Sequence, residues 1–483
     1  MKEQKEIKLF IGITILFWAI GLYAQPPETL WTKTYGGVEI DAGFSIQQTF
    51  DGGYIIAGHT TSFGAGGVDV WLIKTNENGE TLWTRTYGSG VNEACVSVQQ
   101  TSDSGYIIVG SRYTSSPGDT NVYIVKTRAN GDTIWTRTYG GTSSDKGLYV
   151  RQTFDGGYIV TGWTNSFGAG GYDVFLRKLE ANGDSIWTKS YGGIYDDFGI
   201  CVQQTTDSGY IVAGYYGNAP SRRNLDYYLI KTNVNGDTSW TRKYGGSVND
   251  GASGVCQCSD EGYVIVGAAT SGAVGIEDLM IVKTNANGDA LWTRMYGWAY
   301  SDGGKSVQPT SDGGYIIGGM ANGHGWSTSQ LWLVKIDANG DTLWTRIHGD
   351  PAVWNKGYVA QQTSDGGYII VGETESFGNS RQVWVIKTVP DFVGLEQENP
   401  SAKQSLRLSS FFNPVEIKYY LPHKDHIKVR VYDVNGRMVG NLLDELQEAG
   451  DHTLTWNKRI AQGIYFIQLK TSETDAIKKV VIY

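Results

Sequence analysis

The sequence predicts an all-β fold, and three observations carry that prediction. A segment of 52 or 53 residues recurs seven times, and each copy holds four strand-like runs (a to d) separated by turns such as Asp-Gly-Gly and Asn-Gly. No run has the periodicity of an amphipathic helix. Four strands in a unit of this length are typical of a β-propeller blade, so the repeats predict a seven-bladed β-propeller. The Trp residues that mark the repeats are Trp31, Trp83, Trp135, Trp187, Trp240, Trp292 and Trp344.

The two ends of the repeat array predict how the ring closes. The first run, at 30–35, is a lone strand d, and the last run, at 383–388, is a lone strand c. Pairing between them would complete the seventh blade and leave no unpaired sheet edge. A β-solenoid is the alternative, although its coils are generally shorter. We therefore predict a propeller over residues 25–389, with the repeated Trp residues in its core.

Residues 1–24 have the pattern of a secretory signal peptide. Three Lys residues precede an apolar run from Leu9 to Tyr23, which is too short for a comfortable membrane span. We expect cleavage between Ala24 and Gln25. No later segment is long and apolar enough to cross a membrane, so the prediction is an exported chain without a transmembrane segment in its mature form.

The charge distribution disfavours two classes of partner. The chain has a formal charge of -9. The stretch between residues 25 and 399 carries -13, because residues 1–24 carry +1 and residues 400–483 carry +3. Nucleic acid and anionic membranes are bound through clustered Lys and Arg, so neither is an expected partner.

The cysteine spacing fits no metal-binding pattern. Two interpretations stay open: small buried residues, or a disulfide from Cys201 to Cys256 or Cys258, which export would permit. The four cysteines are Cys95, Cys201, Cys256 and Cys258.

Strand direction assigns the loops to two ends of the predicted ring. The a-to-b and c-to-d turns, nearly identical in every repeat, form what we call the tight-turn face. The b-to-c and d-to-a connections vary and form the variable face. Binding residues are usually built on variable loops over a rigid scaffold, so we expect a ligand at the variable face. The Asp of each Asp-Gly-Gly turn is interpreted as a turn former.

A carboxylate stands at the start of run a in six repeats, with Asn355 in the seventh. Six carboxylates at the mouth of a central channel could bind a cation such as Ca²⁺, or sugar hydroxyls. The alternative is that each accepts hydrogen bonds from its own loop. No other cofactor is predicted. These residues are Asp41, Glu93, Asp145, Asp197, Asp250 and Asp302.

Residues that break the repeat are more specific candidates. Aromatic side chains near Arg in the variable loops would suit stacking on sugars, although ordinary loop decoration explains them too. The candidates for ligand binding are Tyr216, Arg222, His324 and Trp326. Others on the same face are His59, Arg112, Tyr113, Trp163 and Arg223.

The repeat stops after Lys387, and residues 390–404 have the composition of a linker. Residues 405–483 contain short strand-like runs and an Asn435-Gly436 hairpin turn, which predict a small immunoglobulin-like β-sandwich.

This C-terminal module resembles the type A sorting domain of the type IX secretion system of Bacteroidota-like bacteria. The resemblance implies export through that machinery, followed by release or attachment at the cell surface, and it assigns the sorting signal to Gly436, Lys478 and Lys479. The usual PNP opening is FNP here. The propeller repeats are similar to those of secreted bacterial proteins, a likeness that implies no activity. The matching segments of the sorting domain are FNP (412–414), YYLP (419–422), VYDVNGRMV (431–439), AGDHTLTWN (449–457), GIYFIQL (463–469) and KKVVIY (478–483).

Enzyme motifs are missing from the sequence: it has no Walker loop, HExxH, GxSxG or zinc-spaced Cys/His set. The sequence therefore favours a secreted or cell-surface binding or scaffold propeller, whose ligand is a polysaccharide or a protein. The alternatives are a glycan-active enzyme, either a hydrolase or a lyase, and a purely structural surface component.

Overall fold

A computed structural model describes residues 26–113, 119–220, 224–322, 328–377, 380–391, 406–408, 415–433, 437–456, 463–472 and 475–482. The chain divides into two compact units, one of which is Gln25–Asp391, while the other contains the C-terminal strands. Every regular element within the described ranges is a β-strand. Those ranges therefore contain no helix that could cross a membrane.

The first unit is the predicted propeller, and its strands follow the four-run repeat. Strand β1 is Thr29–Tyr35. Blade 1 is β2 (Asp41–Gln48), β3 (Tyr54–Thr60), β4 (Asp69–Thr75) and β5 (Thr81–Tyr87). Blade 2 is β6 (Glu93–Gln100), β7 (Tyr106–Tyr113), β8 (Thr120–Thr127) and β9 (Thr133–Tyr139). Blade 3 is β10 (Asp145–Gln152), β11 (Tyr158–Thr164), β12 (Asp173–Leu179) and β13 (Ser185–Tyr191).

The remaining blades repeat this order. Blade 4 is β14 (Phe198–Gln204), β15 (Tyr210–Gly217), β16 (Leu225–Thr232) and β17 (Thr238–Tyr244). Blade 5 is β18 (Asp250–Gln257), β19 (Tyr263–Ala269), β20 (Asp278–Thr284) and β21 (Ala290–Tyr296). Blade 6 is β22 (Gly303–Pro309), β23 (Tyr315–Ala321), β24 (Gln330–Ile336) and β25 (Thr342–His348). Blade 7 contains β26 (Asn355–Gln362), β27 (Tyr368–Thr374) and β28 (Gln382–Thr388).

The N-terminal strand closes the ring, as the array ends predict. Strand β1 pairs antiparallel with β28, so that Thr34 lies opposite Trp384. Blade 7 is therefore a four-stranded sheet in the order β1-β28-β27-β26. This pairing supplies its strand d from the other end of the propeller unit.

The hydrophobic core lies between successive blades rather than within any one of them. Ile46 and Trp71 of blade 1 pack with Val371 and Val385 of blade 7 in one cluster. Each β2-type strand carries a bulge near its start, between Gly43 and Ser45 in blade 1. A Cβ on Gly43 would lie 2.7 Å from Val383 of the preceding blade, which explains the small residue at this crowded innermost strand.

The repeated aromatic residues join the blades, which confirms their predicted structural role. Trp31 meets the ring of Tyr54 on the next blade edge-on, with 5.9 Å between centroids. The Tyr35 hydroxyl donates to the carbonyl of Gly79 at 2.6 Å. This contact is repeated at later seams, where it ties the outer strand of one blade to the c-to-d turn of the next.

The tight-turn face carries an ion pair in every blade. The Lys of strand c is buried and pairs with the Asp of the Asp-Gly-Gly turn, at N···O distances between 2.7 and 2.9 Å. That Asp also accepts a hydrogen bond from the turn's own Gly N–H, 3.1 Å for Asp51 and Gly53. Its predicted turn role is thus joined by a second role as counter-ion.

The C-terminal unit contains two sheets. Strands β29 (Leu406–Leu408), β30 (Val415–Leu421) and β33 (Gly450–Trp456) form one, in that order. Strands β31 (Asp425–Asp433), β32 (Met438–Gln447), β34 (Gly463–Lys470) and β35 (Asp475–Ile482) form the other, in the order β32-β31-β34-β35. Buried residues of both sheets, among them Tyr419, Trp456 and Val429, share one core. This is the predicted β-sandwich.

Candidate functional site

The predicted acidic residues lie fully buried at the variable face, where they brace their own loops. Both oxygens of Asp41 accept hydrogen bonds: Gly37 N–H and the Ser62 hydroxyl donate at 2.7 and 2.8 Å, and the Thr60 hydroxyl bonds the second oxygen. Because the donors come from the d-to-a loop and from the end of strand b, each carboxylate ties two connections together. This geometry matches the loop-bracing interpretation.

The same arrangement recurs around the ring with local differences. Asp197 accepts Gly193 N–H at 2.7 Å and Gly217 N–H at 2.9 Å. Glu93 accepts the Ser89 N–H at 3.2 Å and the Ser89 hydroxyl at 2.8 Å, and it also forms an ion pair with Arg112 at 3.2 Å. Within the described parts of the chain, no three His, Cys, Asp or Glu side chains come together as a metal site would require. The suggested Ca²⁺ binding stays a prediction.

A second set of buried polar residues, at the start of strand c, lies beside this ring. Asp173 of blade 3 and Asp197 of blade 4 both point at Gly192, where a Cβ would meet their oxygens at 2.6 and 2.4 Å. Burial raises the pKa of Asp197 to about 6, and the Asp173 charge adds to that rise against two backbone donors. The junction is therefore a pair of carboxyl groups, and the Lys243 charge only partly opposes the rise in the pKa of Asp197.

Of the four loop residues predicted to bind a ligand, the structure describes only Tyr216. Tyr216 is half-buried among its own neighbours: Lys243 Nζ lies 3.1 Å from its ring centroid, and Tyr228 packs edge-on at 5.1 Å. Arg222, His324 and Trp326 lie outside the described residues. So does Gly436, whereas Lys478 and Lys479 belong to β35, where they pair with Ile467 and Phe466.

A cluster that the repeat analysis missed lies where blade 7 meets the mouth of the channel. We call Trp354, Lys356, Tyr358, Glu373 and Arg381 the blade 7 cluster. The Arg381 guanidinium stacks 4.4 Å from the Trp354 ring centroid and approaches Glu373 at 3.9 Å. The Tyr358 hydroxyl donates to Glu373. Five side chains of different chemistry thus meet at a single blade.

Two rings of blade 1 extend this cluster across the junction. Phe44 lies 4.8 Å from Tyr358 and 5.2 Å from His59, measured between ring centroids. Burial lowers the pKa of His59, so its imidazole is neutral at pH 7, and its Nδ1 has no hydrogen-bond partner among the described residues. Phe44 and His59 therefore add two uncharged rings to the blade 7 cluster.

Burial also shifts the pKa of Glu373. Desolvation raises the pKa of Glu373 above its ordinary value, while the Tyr358 hydrogen bond and the Arg381 charge act in the opposite direction. The sequence did contain a signal for this cluster. Strand a of blade 7 has Lys356 and Tyr358 where blade 2 has Ala94 and Val96.

The four cysteines are free thiols, with Cys95, Cys201 and Cys256 buried. The Tyr315 hydroxyl donates to Cys258 at 3.1 Å. The structure thus has free thiols, three of them buried, in place of the disulfide that the sequence left open.

Comparison with protein families identifies the C-terminal unit. The secretion system C-terminal sorting domain matches residues 410–483, which include six of the seven sandwich strands. This segment is a type IX secretion sorting domain, and the protein is exported by that machinery to the cell surface or the extracellular space. No curated protein matches the chain.

Solved structures show only distant likeness. An endo-1,5-α-L-arabinanase from Thermotoga petrophila RKU-1 is 13% identical, with 75% of this chain and 99% of that chain covered and a TM-score of 0.29. A β-1,2-mannobiose phosphorylase from Listeria innocua is 11% identical, with 76% and 94% covered and a TM-score of 0.28. A glycoside hydrolase family 32 protein from Bifidobacterium adolescentis is 8% identical, with 94% and 95% covered and a TM-score of 0.26. Scores this low assign no activity to the present chain.

Proposed function

We propose that the protein is an exported glycan-binding propeller whose ligand site is the blade 7 cluster. The observation that carries the proposal is the Trp354 ring, partly exposed at the variable face beside buried polar groups. An aromatic face stacks on the C–H face of a sugar, and a few fixed polar groups bond its hydroxyls. A secreted or surface location puts such a site within reach of polysaccharides.

The contacts within the cluster support this assignment. Glu375 N–H bonds the Trp354 carbonyl at 3.1 Å, which joins the d-to-a loop to the end of strand b. Glu375 also pairs with Arg381 at 3.3 Å. The indole is therefore held by neighbours on two connections before any ligand arrives, which reduces the ordering cost of binding.

A glycan array followed by calorimetric titration tests the proposal on the full chain. We expect a polysaccharide or oligosaccharide to bind, and Trp354→Ala to weaken that binding at least about 10-fold, because truncating a central aromatic anchor typically costs 2 kcal/mol or more. Arg381→Gln should weaken it less, since Trp354 keeps its place in the loop.

The matched control is Phe50→Ala. Phe50 is an aromatic residue that is 70% exposed on the tight-turn face. Its removal should leave affinity unchanged, and the melting temperature of each variant separates binding loss from unfolding. Failure of every glycan to bind, or equal affinity of wild type and Trp354→Ala, would contradict the proposal.

A glycan-active enzyme is the second candidate, and one observation favours it. Glu373 is a buried carboxyl group with a raised pKa, and a second carboxylate, Glu375, contacts the same guanidinium. Reducing-end assays on the polysaccharides that bind would test it. An enzyme should lose turnover but keep binding in Glu373→Gln, whereas a pure binder shows no turnover in wild type.

A further inference from the structure

The central channel contains a cavity of about 210 Å³ below the mouth, towards the tight-turn face. Strand a of every blade contributes to its wall, and the residues come from the middle and end of these strands. The cavity is thus separate from the Trp354 ring, which precedes strand a at the opposite end. Its volume exceeds what a single water molecule needs.

The charged side chains that line this cavity are all positive. Arg151 and Lys305 line it, and none of its lining residues is Asp or Glu. Burial lowers the pKa of Lys305, and the nearby Lys356 charge lowers it further while Glu277 opposes them. Within the described ranges Lys305 forms no ion pair. An uncompensated buried cation is unfavourable unless an anion accompanies it.

Arg151 is held in place by neutral partners. Its guanidinium stacks 4.2 Å from the centroid of Tyr149, bonds the Tyr149 hydroxyl, and donates to the Val150 carbonyl at 2.9 Å. These contacts orient the group without neutralising it. The orientation is therefore fixed while the positive charge stays available.

The glutamines of the cavity wall add oriented donors. The amide oxygens of Gln47, Gln99 and Gln361 accept backbone N–H groups of the next blade, at 2.7, 2.6 and 3.2 Å. Only an amide oxygen can accept, so the NH₂ end of each side chain is left as the donor. Each of these amides therefore keeps an NH₂ group that can donate to a ligand in the cavity.

We propose that this cavity is a binding site for a free oxyanion of the size of sulfate or phosphate, held by Arg151, Lys305 and the glutamine amides. The propeller as a whole is acidic, so a cavity lined by two cations and by no carboxylate is unusual within it. Oxyanions accept several N–H bonds at once, and guanidinium binds them in a bidentate manner.

The repeats supply conservative variants for the test. Blades 1, 2, 4, 6 and 7 carry Gln where Arg151 stands, and blade 5 carries Ser253 where Lys305 stands. Arg151→Gln and Lys305→Ser therefore give each position a residue that the fold already accepts elsewhere. Lys33→Gln, on the exposed outer strand β1, removes the same charge far from the channel.

Calorimetric titration of the full chain with sodium sulfate, sodium phosphate and sodium acetate, at constant ionic strength in chloride, tests the site. We expect saturable binding of one sulfate or phosphate per chain, at least 10-fold weaker in either single variant and lost in the double variant. Lys33→Gln and Trp354→Ala should bind as wild type does. The second of these separates the anion site from the proposed glycan site.

Thermal melts provide a second readout, because sulfate also stabilises proteins without binding to a site. The sulfate-induced rise in melting temperature should be larger for wild type than for the double variant. Equal rises in the two proteins, or the lack of saturable heat with wild type, would overturn the proposal.

Discussion

The two faces of the propeller use Asp residues in different electrostatic settings. At the tight-turn face, Asp155 pairs with the buried Lys178 at 2.9 Å. At the variable face, Asp197 lies against a second carboxyl group, Asp173, and accepts only neutral donors in the contacts described above. The comparison shows that an Asp of the repeat can be either a charge partner or a loop brace, depending on the face at which it lies.

The pKa values follow these settings. Burial raises the pKa of Asp155, but hydrogen bonds from Thr153, Lys178 and Gly157 outweigh it, and the result is about 2. For Asp197, burial and the Asp173 charge outweigh two backbone hydrogen bonds and the Lys243 charge, and the result is about 6. The two faces should therefore respond to acid in opposite directions.

Removal of a tight-turn carboxylate should have the largest effect. Asp312→Asn keeps the turn hydrogen bonds but leaves Lys335, whose side chain is 0% exposed, without its counter-ion. Loss of one partner from a buried ion pair costs about 3 kcal/mol or more. Urea unfolding monitored by Trp fluorescence should show this loss.

Asp237→Asn is the matched control. It breaks the ion pair between Asp237 and Lys189, which lies on exposed side chains. Surface pairs contribute little, so the urea midpoint should not move measurably. If the two variants behave alike, burial of the Lys is not what distinguishes the tight-turn face.

The carboxyl groups of the two faces should change the stability of the protein in two different ranges of pH. The folded pKa of Asp197 is above the ordinary Asp value, so its contribution is fully present below about pH 4 and is lost as the pH rises to about 6. The folded pKa of Asp155 is below that value, so its contribution is lost as the pH falls from about 4 to about 2. Melting temperature between pH 2 and 8 should therefore fall on both sides of about pH 4.

Asp173→Asn should reduce the loss of stability between about pH 4 and 6 and leave the loss below about pH 4 unchanged. The amide removes the negative charge that raises the Asp197 pKa, and blade 2 already carries Asn121 at this position beside Asp145. Burial, the main cause of the raised Asp197 pKa, remains, so we expect a gain of no more than about 1.4 kcal/mol at pH 8, which corresponds to one pKa unit. An unchanged slope between pH 4 and 6 would show that Asp173 does not set the protonation of Asp197.

The sequence predicted the fold because its signals are local and repeated seven times. Turn glycines, alternating strands and the lone strands at each end specify the blade count and ring closure. Contacts between blades carry no such signal: nothing in the spacing shows that Trp354 and Arg381 stack, or that Gln47 bonds Gln100 N–H. Those partners depend on the ring geometry. The departure of Lys356 and Tyr358 from the repeat therefore marks blade 7 in the sequence but does not reveal which side chains they meet.

At the tight-turn face, one of the seven junctions between blades lacks a hydrogen bond that the other six have. Restoring this bond should change the stability of the protein least. In six blades the last Gln of strand a accepts an N–H from the turn of the preceding blade, as Gln100 does from Phe50 at 2.8 Å. Blade 6 has Pro309 at this position, so the equivalent N–H, on Ser259, has no such side chain to bond.

Pro309→Gln should supply the missing bridge. Because loss of a proline frees the unfolded chain, the proper reference is Pro309→Ala, which lacks the amide. The Gln variant should be more stable than the Ala variant by about 1 kcal/mol, the usual net worth of one hydrogen bond. Urea midpoints measure this difference, and hydrogen exchange at Ser259 N–H should slow only in the Gln variant. If the Gln variant is no more stable than the Ala variant, the glutamines of the other six seams do not hold the blades together.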